Sequence, residues 1–224
     1  MALREKKARA VRMRQKGMSY SQIKSELKVA KSTLSLWLQH MPLSRKQINQ
    51  LRGHSEVRIE RYREARRQTR ETRLAQVRLR AADDIGPLSK RELFIAGLFL
   101  YWGEGSKTTP GFLCISNTDP IMLRFAITWL ELLGAPKNRM KIKIHLYRDM
   151  NVERSLAYWA RVLRMPRSRF TKPYVKDSLQ SKLSYPQRFP HGTGNVLISH
   201  RDIAERVFMS LEHIRGLFAD GKSM

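Results

Sequence analysis

Between Glu56 and Ala82 the chain reads EVRIERYREARRQTRETRLAQVRLRAA, with no proline or glycine and few large apolar side chains. A run so rich in helix formers predicts one long helix. Arg58, Arg61, Arg63, Arg66, Arg67, Arg70 and Arg73 surround that helix rather than forming one stripe. Glu56, Glu60 and Glu64 compensate part of the charge at helical spacing, Glu60 with Arg63 and Glu64 with Arg67. Sustained apolar heptads are absent, which argues against a coiled coil. Two readings follow: a solvated tether between modules, or an arm that lies along nucleic acid and meets phosphates through Arg58, Arg61, Arg66 and Arg70. Composition thereby divides the chain into a basic segment over 1–43, a basic helical linker over 44–86, and an apolar-rich segment over 87–224. The sharpest boundary is DIGPLS, Asp84 to Ser89, where Gly86 and Pro87 break a helix and Ser89 is placed to cap the next.

Charge narrows the partner. The 224 residues carry a formal net charge of +25, and 42% of them are hydrophobic. The apolar share is enough for a core, and the charge calls for a polyanion, most commonly nucleic acid. A membrane is the competing anionic surface, but the longest apolar run, Leu93 to Trp102, is about half the ~20 residues that a span needs. The start, MALREKKARA, has no apolar signal core, so a cytoplasmic protein, nucleoid-associated if bacterial, is expected. A single cysteine, Cys114, excludes an internal disulfide and a cysteine-based zinc finger. No nucleotide-binding glycine loop and no Ser/His/Asp arrangement stands out, so no small-molecule cofactor is expected.

The segment SYSQIKSELKVAKSTLSLWLQ, Ser19 to Gln39, carries two short helical periods. Ser19 and Gln22 form a capping box. Ile23 and Leu27 share a face, a break falls at Lys28–Val29–Ala30, and Leu34, Trp37 and Leu38 turn inward on the second helix. Lys31, Ser32, Thr33 and Ser35 turn outward. The pattern resembles the helix-turn-helix of resolvases and small transcription regulators. Lys24, Lys28, Ala30 and Leu36 stand where that pattern more often has alanine, glycine, serine and arginine. The resemblance implies that the second helix enters the major groove and offers Lys31, Ser32, Thr33 and Ser35 to base edges. Arg12, Arg14 and Lys16 would hold phosphates.

Beyond Leu88, helical and alternating patterns interleave, which predicts an α/β (α+β) domain. KRELFIAGLFLYWGEG reads as an apolar helix capped by Gly105. Gly111–Asn117 reads as a strand. The next helix opens with Asp119 as cap and Pro120 in its first turn, and closes at Gly134. In Arg139–Arg148, Ile142, Ile144 and Leu146 face one way while Lys141, Lys143, His145 and Tyr147 face the other. VERSLAYWARVLR is a helix, RFTKPYVK an edge strand because of Pro173, NVLISH a strand, and Arg201–Phe218 a closing amphipathic helix. Trp102, Trp129 and Trp159 occupy helical apolar positions and are expected in the core. His191 lies in the loop FPHGTGN, whose glycines suit a turn.

Three passages, IAGLFLYWGEGSK, FLCISNTDPIMLRFAITWLELLG and NVLISHRDIAERVFMSLEHI, resemble the LAGLIDADG homing endonucleases. That resemblance implies a saddle-shaped sheet lying over DNA, with the acid that ends the signature helix binding a divalent metal for phosphodiester hydrolysis. Glu104 would be that acid, both catalytic and metal-binding, and Mg²⁺ the expected ion. With Glu104 so aligned, the packing glycine of the signature becomes Phe99 and the preceding acid becomes Trp102. Ala96, Leu100 and Gly103 share a face that would give a wider helix contact. One signature in the chain means that cutting both strands would need a homodimer. Lys141, Lys143 and His145 would lie on DNA, and Lys172 and Lys176 would offset transition-state charge. A carboxylate at a helix C-terminus is unfavourable by about 0.3–1 kcal/mol without a cation, and Lys107 is the alternative partner to a metal. The expectation is therefore a sequence-directed binder of double-stranded DNA that cleaves it with a metal. Its rival is a non-catalytic regulator on the same fold. RNA fits the charge but not the helix-turn-helix.

Overall fold

A computed structural model describes residues 2–51, 53–182 and 189–219, and divides into two compact units, 1–86 and 87–224. The described residues form nine α-helices and one four-stranded mixed sheet, an α+β architecture. None of these helices is long and apolar enough to cross a membrane.

The first unit contains α1 (Ala2–Gln15), α2 (Tyr20–Leu27), α3 (Lys31–Leu38), α4 (Arg45–Asn49) and α5 (His54–Ile85). Ser19 Oγ accepts from the Gln22 amide while Gln22 Oε1 accepts from the Ser19 amide, which starts α2 as the sequence spacing requires. α2 stops at Lys28, held left-handed at φ 49°, where a glycine would be less strained. Ala10, Tyr20, Ile23, Leu27, Val29, Leu34 and Leu38 form the core that α1, α2 and α3 share. A second capping box, Ser44 with Gln47, opens α4, and Gln47 Nε2 also donates to the Gln15 carbonyl. Residues 44–86, read from composition as a separate linker, thus belong to the same compact unit as α1, α2 and α3.

α5 spans 32 residues, about 48 Å at the helical rise. Its first turns are fastened to the rest of the unit. Ser19 Oγ donates to Glu56 at 2.6 Å, and Glu60, only 4% exposed, receives Arg14 at 2.8 Å and Arg63 at 2.7 Å. The guanidinium groups of Arg14 and Arg63 both lie over the Tyr20 ring, at 4.7 and 4.0 Å from its centre.

The second unit contains α6 (Lys90–Glu104), β1 (Phe112–Asn117), α7 (Pro120–Leu132), β2 (Lys141–Tyr147), α8 (Val152–Leu163), β3 (Tyr174–Lys176), β4 (Thr193–Ser199) and α9 (Arg201–Ala219). The strand order is β1-β4-β2-β3; β4 is antiparallel to both neighbours and β3 runs parallel to β2. The registers Ile115↔Val196↔Ile142 and Gly194↔Ile144 gather the apolar residues on one face, which the helices cover. Trp129 and Trp159 are buried there, their indole N–H groups donating to the carbonyls of Phe94 and His191. Asp119 caps α7 by accepting from the Ile121 amide. β3 keeps only the three residues after Pro173 and lies at the sheet edge.

Two local expectations are corrected. Gly105 is not a left-handed cap: it is extended at φ −85°, and a Cβ there would stand 2.4 Å from the Tyr101 carbonyl oxygen. Close approach, not backbone sign, demands glycine. Trp102 is half-buried rather than core, stacked on exposed Phe99 at 5.9 Å with Arg215 over its ring.

Candidate nucleic-acid interface

On α3, Leu34 and Leu38 are buried, Trp37 is half-buried, and Lys31, Ser32 and Ser35 are exposed with Thr33 between the two states. A helix this short holds its outward face only because its inward face is packed. Ala30 makes no side-chain cap, so the first-turn amides of α3 have no side-chain acceptor. Arg12 and Lys16 on and after α1 are exposed.

Arg14 is not a phosphate ligand. It is 3% exposed, and its guanidinium donates to the carbonyls of Met41 and Met18 and to both oxygens of Glu60. The basic run RMRQK made it look like its neighbours; three side chains along a helix point in three directions, and this one points inward. On α5, Arg58, Arg61, Arg66 and Arg70 are all exposed. Arg61 donates to Asn49 and lines a small hollow with Arg45, whereas Arg66 and Arg70 line a larger groove with Ser35.

In the second unit, alternation leaves one sheet face without the apolar core. Lys141, Lys143, His145 and Tyr147 of β2 occupy it, and register adds Asn195 from β4 and Tyr174 and Lys176 from β3. Asn195 donates to the Lys143 carbonyl at 2.9 Å and accepts from Ser116 at 2.5 Å, a bridge across three strands. Lys176 lies 5.3 Å over the Tyr147 ring, and Tyr174 meets His145 edge-on. Partial burial, then the neighbouring Lys143 and Lys176, hold the His145 pKa below its ordinary value, which favours the neutral ring. Burial pushes the Cys114 thiol up, which keeps it protonated beside Ser116. Asn195, Ser116 and Tyr174 were not read as members of this sheet face because strand pairing, not local sequence, brings them beside the lysines, with Asn195 itself buried. Lys172 is exposed just before β3.

Glu104 ends α6 and is exposed. Gly105 then bridges to Ile115 on the outer side of β1, and the buried Tyr101 hydroxyl donates to the Ser106 carbonyl. Burial pushes the Tyr101 phenol up to about 12, so it serves as a neutral donor that secures this turn. Lys107 does not pair with Glu104; its ammonium donates to the Gly105 carbonyl at 3.0 Å. Among the described residues Glu104 has no ion pair, and no three His, Cys, Asp or Glu side chains gather to hold a metal ion. One chain therefore offers Mg²⁺ one carboxylate here, too few ligands for a site by itself. Lys176 does not stand near that acid either. β3 and β1 are opposite edges of the sheet, so its width separates Lys176 from Glu104 within a chain.

The chain matches no family model, no curated protein and no solved structure.

Proposed function

We propose that this chain is a sequence-directed double-stranded DNA-binding protein in which α3 reads base edges and basic surfaces hold the phosphate backbone. The observation that carries this reading is the sidedness of α3. Its apolar face is sunk in a closed core, while Lys31, Ser32 and Ser35 stand in solvent, which supports a reading in which they meet the major groove. Arg12 and Lys16 supply phosphate contacts beside it, and Lys141, Lys143 and Lys176 form a second cationic surface on the open sheet face, in the manner of a saddle.

A duplex enriched from a random pool tests the reading. Lys31→Ala/Ser32→Ala/Ser35→Ala should weaken binding to that duplex by roughly 10- to 100-fold or more, since even one good base contact contributes ~1–3 kcal/mol. Binding to an unrelated duplex should change far less, because phosphate contact is sequence-independent. Equal losses on both duplexes, or failure of the pool to converge, would count against α3 as the reader.

Metal-dependent cleavage is a second reading, favoured by one observation: among the described residues Glu104 has no ion pair, at a helix end whose dipole repels it. A second copy docked along the exposed Ile95, Ala96, Phe99 and Gly103 of α6 would bring a second carboxylate. The reading requires nicking of supercoiled plasmid in Mg²⁺ that Glu104→Gln abolishes without loss of binding, with two-strand cutting only where sedimentation detects a dimer. Undiminished plasmid cutting by the Gln variant would remove Glu104 from the chemistry, and no cutting by the parent leaves the non-catalytic binder.

A further inference from the structure

The arginines of α5 lose their rotational ambiguity once the helix is fastened to its unit. Glu60 takes Arg14 and Arg63, and Glu64 takes Arg67 at 2.7 Å. Arg66, Arg70 and Arg73 have no ion pair among the described residues. All three line one groove of about 680 Å³ whose opposite wall includes Ser35 and Gln39 at the end of α3. The spacing i, i+4, i+7 sets them on one side of the helix. Arg58 is outside this groove, and Arg61 faces the hollow beside Asn49. Internal acids have thus neutralised the arginines nearest the core and left a row of three free cations beside the proposed reading helix.

We infer that this groove is a rigid phosphate track: Arg66, Arg70 and Arg73 grip the backbone of the same duplex that α3 reads, and α5 is a clamp fixed to the reader rather than a tether. The inference rests on the DNA-binding reading above. Geometry and charge both suit one occupant. From Arg66 to Arg73 the helix rises about 10 Å. Successive phosphates of one DNA strand step around the axis as well as rising about 3.4 Å along it, and three long arginine side chains spread over this length can reach neighbouring phosphates of one strand. Arginine also offers the planar fork that matches phosphate oxygens. Rigidity matters because the Glu60 ion pair and the Glu56–Ser19 bond orient the row before DNA arrives. The entropy of ordering an arm is then not charged against binding.

The test uses the full chain, a mixed-sequence 30-base-pair duplex and fluorescence anisotropy over a range of KCl concentrations. Arg66→Gln/Arg70→Gln/Arg73→Gln is compared with Arg78→Gln/Lys90→Gln/Arg91→Gln, which removes the same charge from exposed positions outside the groove. The groove variant should flatten the plot of log affinity against log salt by about 2.7, about 0.9 per lost phosphate contact, while the control retains the parental slope. Circular dichroism should show both variants as helical as the parent. Equal flattening in the two variants would overturn the track in favour of diffuse attraction, as would a parental slope in the groove variant. In either case duplex binding by the parent would leave the DNA-binding reading intact. A parent that fails to bind duplex at the lowest salt would overturn both.

Discussion

Glu60→Ala should destabilise the first unit by about 3–5 kcal/mol, the cost of stranding a buried charge. Glu60 and Arg14 are 4% and 3% exposed, and their two contacts, 3.3 and 2.8 Å, are parallel. Without the carboxylate the Arg14 guanidinium keeps only the Met18 and Met41 carbonyls, and arginine has no neutral form to escape into. The reciprocal change is expected to cost less. In Arg14→Ala, Glu60 still has Arg63 at 2.7 Å, so its charge is not left without a partner. The double replacement Arg14→Met/Glu60→Leu should recover much of the loss, because the pair's desolvation penalty disappears with its attraction. For a unit of this size each kcal/mol moves the melting temperature by about 4–8 °C, so thermal unfolding reads the series directly. A Glu60→Ala shift under about 1 kcal/mol would show that water reaches the pair and that α5 is not locked by it.

Gly97→Ala should destabilise the second unit by about 3 kcal/mol, at the upper end of ordinary overpacking, although alanine is the better helix former. A Cβ at this position would meet Trp129 Cδ1 at 2.0 Å and Nε1 at 2.1 Å. The indole cannot step aside: it is 1% exposed, and its N–H is held by the Phe94 carbonyl one turn before Gly97. α6 would have to lift off α7. Gly103, on the same helix, has nothing within 4 Å of its would-be Cβ, so Gly103→Ala should stabilise by up to about 1 kcal/mol through propensity alone. Urea unfolding of the full chain, followed by tryptophan fluorescence, distinguishes the two. Matching signs would mean that the tight α6–α7 contact is not what selects glycine at 97. The glycine of the Ile95–Leu98 stretch is thereby committed to packing inside its own unit, and only Ala96 and Gly103 remain as small residues on the exposed side of α6.

The chain's own order of residues determined what nearest neighbours decide. The capping boxes, the Asp119 cap, the left-handed turn between α2 and α3 and the clean alternation of β2 arise from contacts within a few residues. Each was readable, or readable in principle as at Ser44–Gln47, because helix and strand periods fix which side chains share a face. The long uninterrupted helix over Glu56–Ala82 was legible for the same reason. Tertiary structure decided whatever depends on partners far apart in sequence. Arg14 left the surface because an acid 46 residues later closes on it, and the packing of α5 in the first unit decided which of its arginines line the groove beside α3. Asn195 joined Lys143 through strand register, and Lys176 was carried to the edge opposite Glu104 by strand order. A charged side chain reads alike in sequence whether it faces water, a carboxylate or an empty groove; burial and pairing separate the three, and those are properties of the folded chain alone.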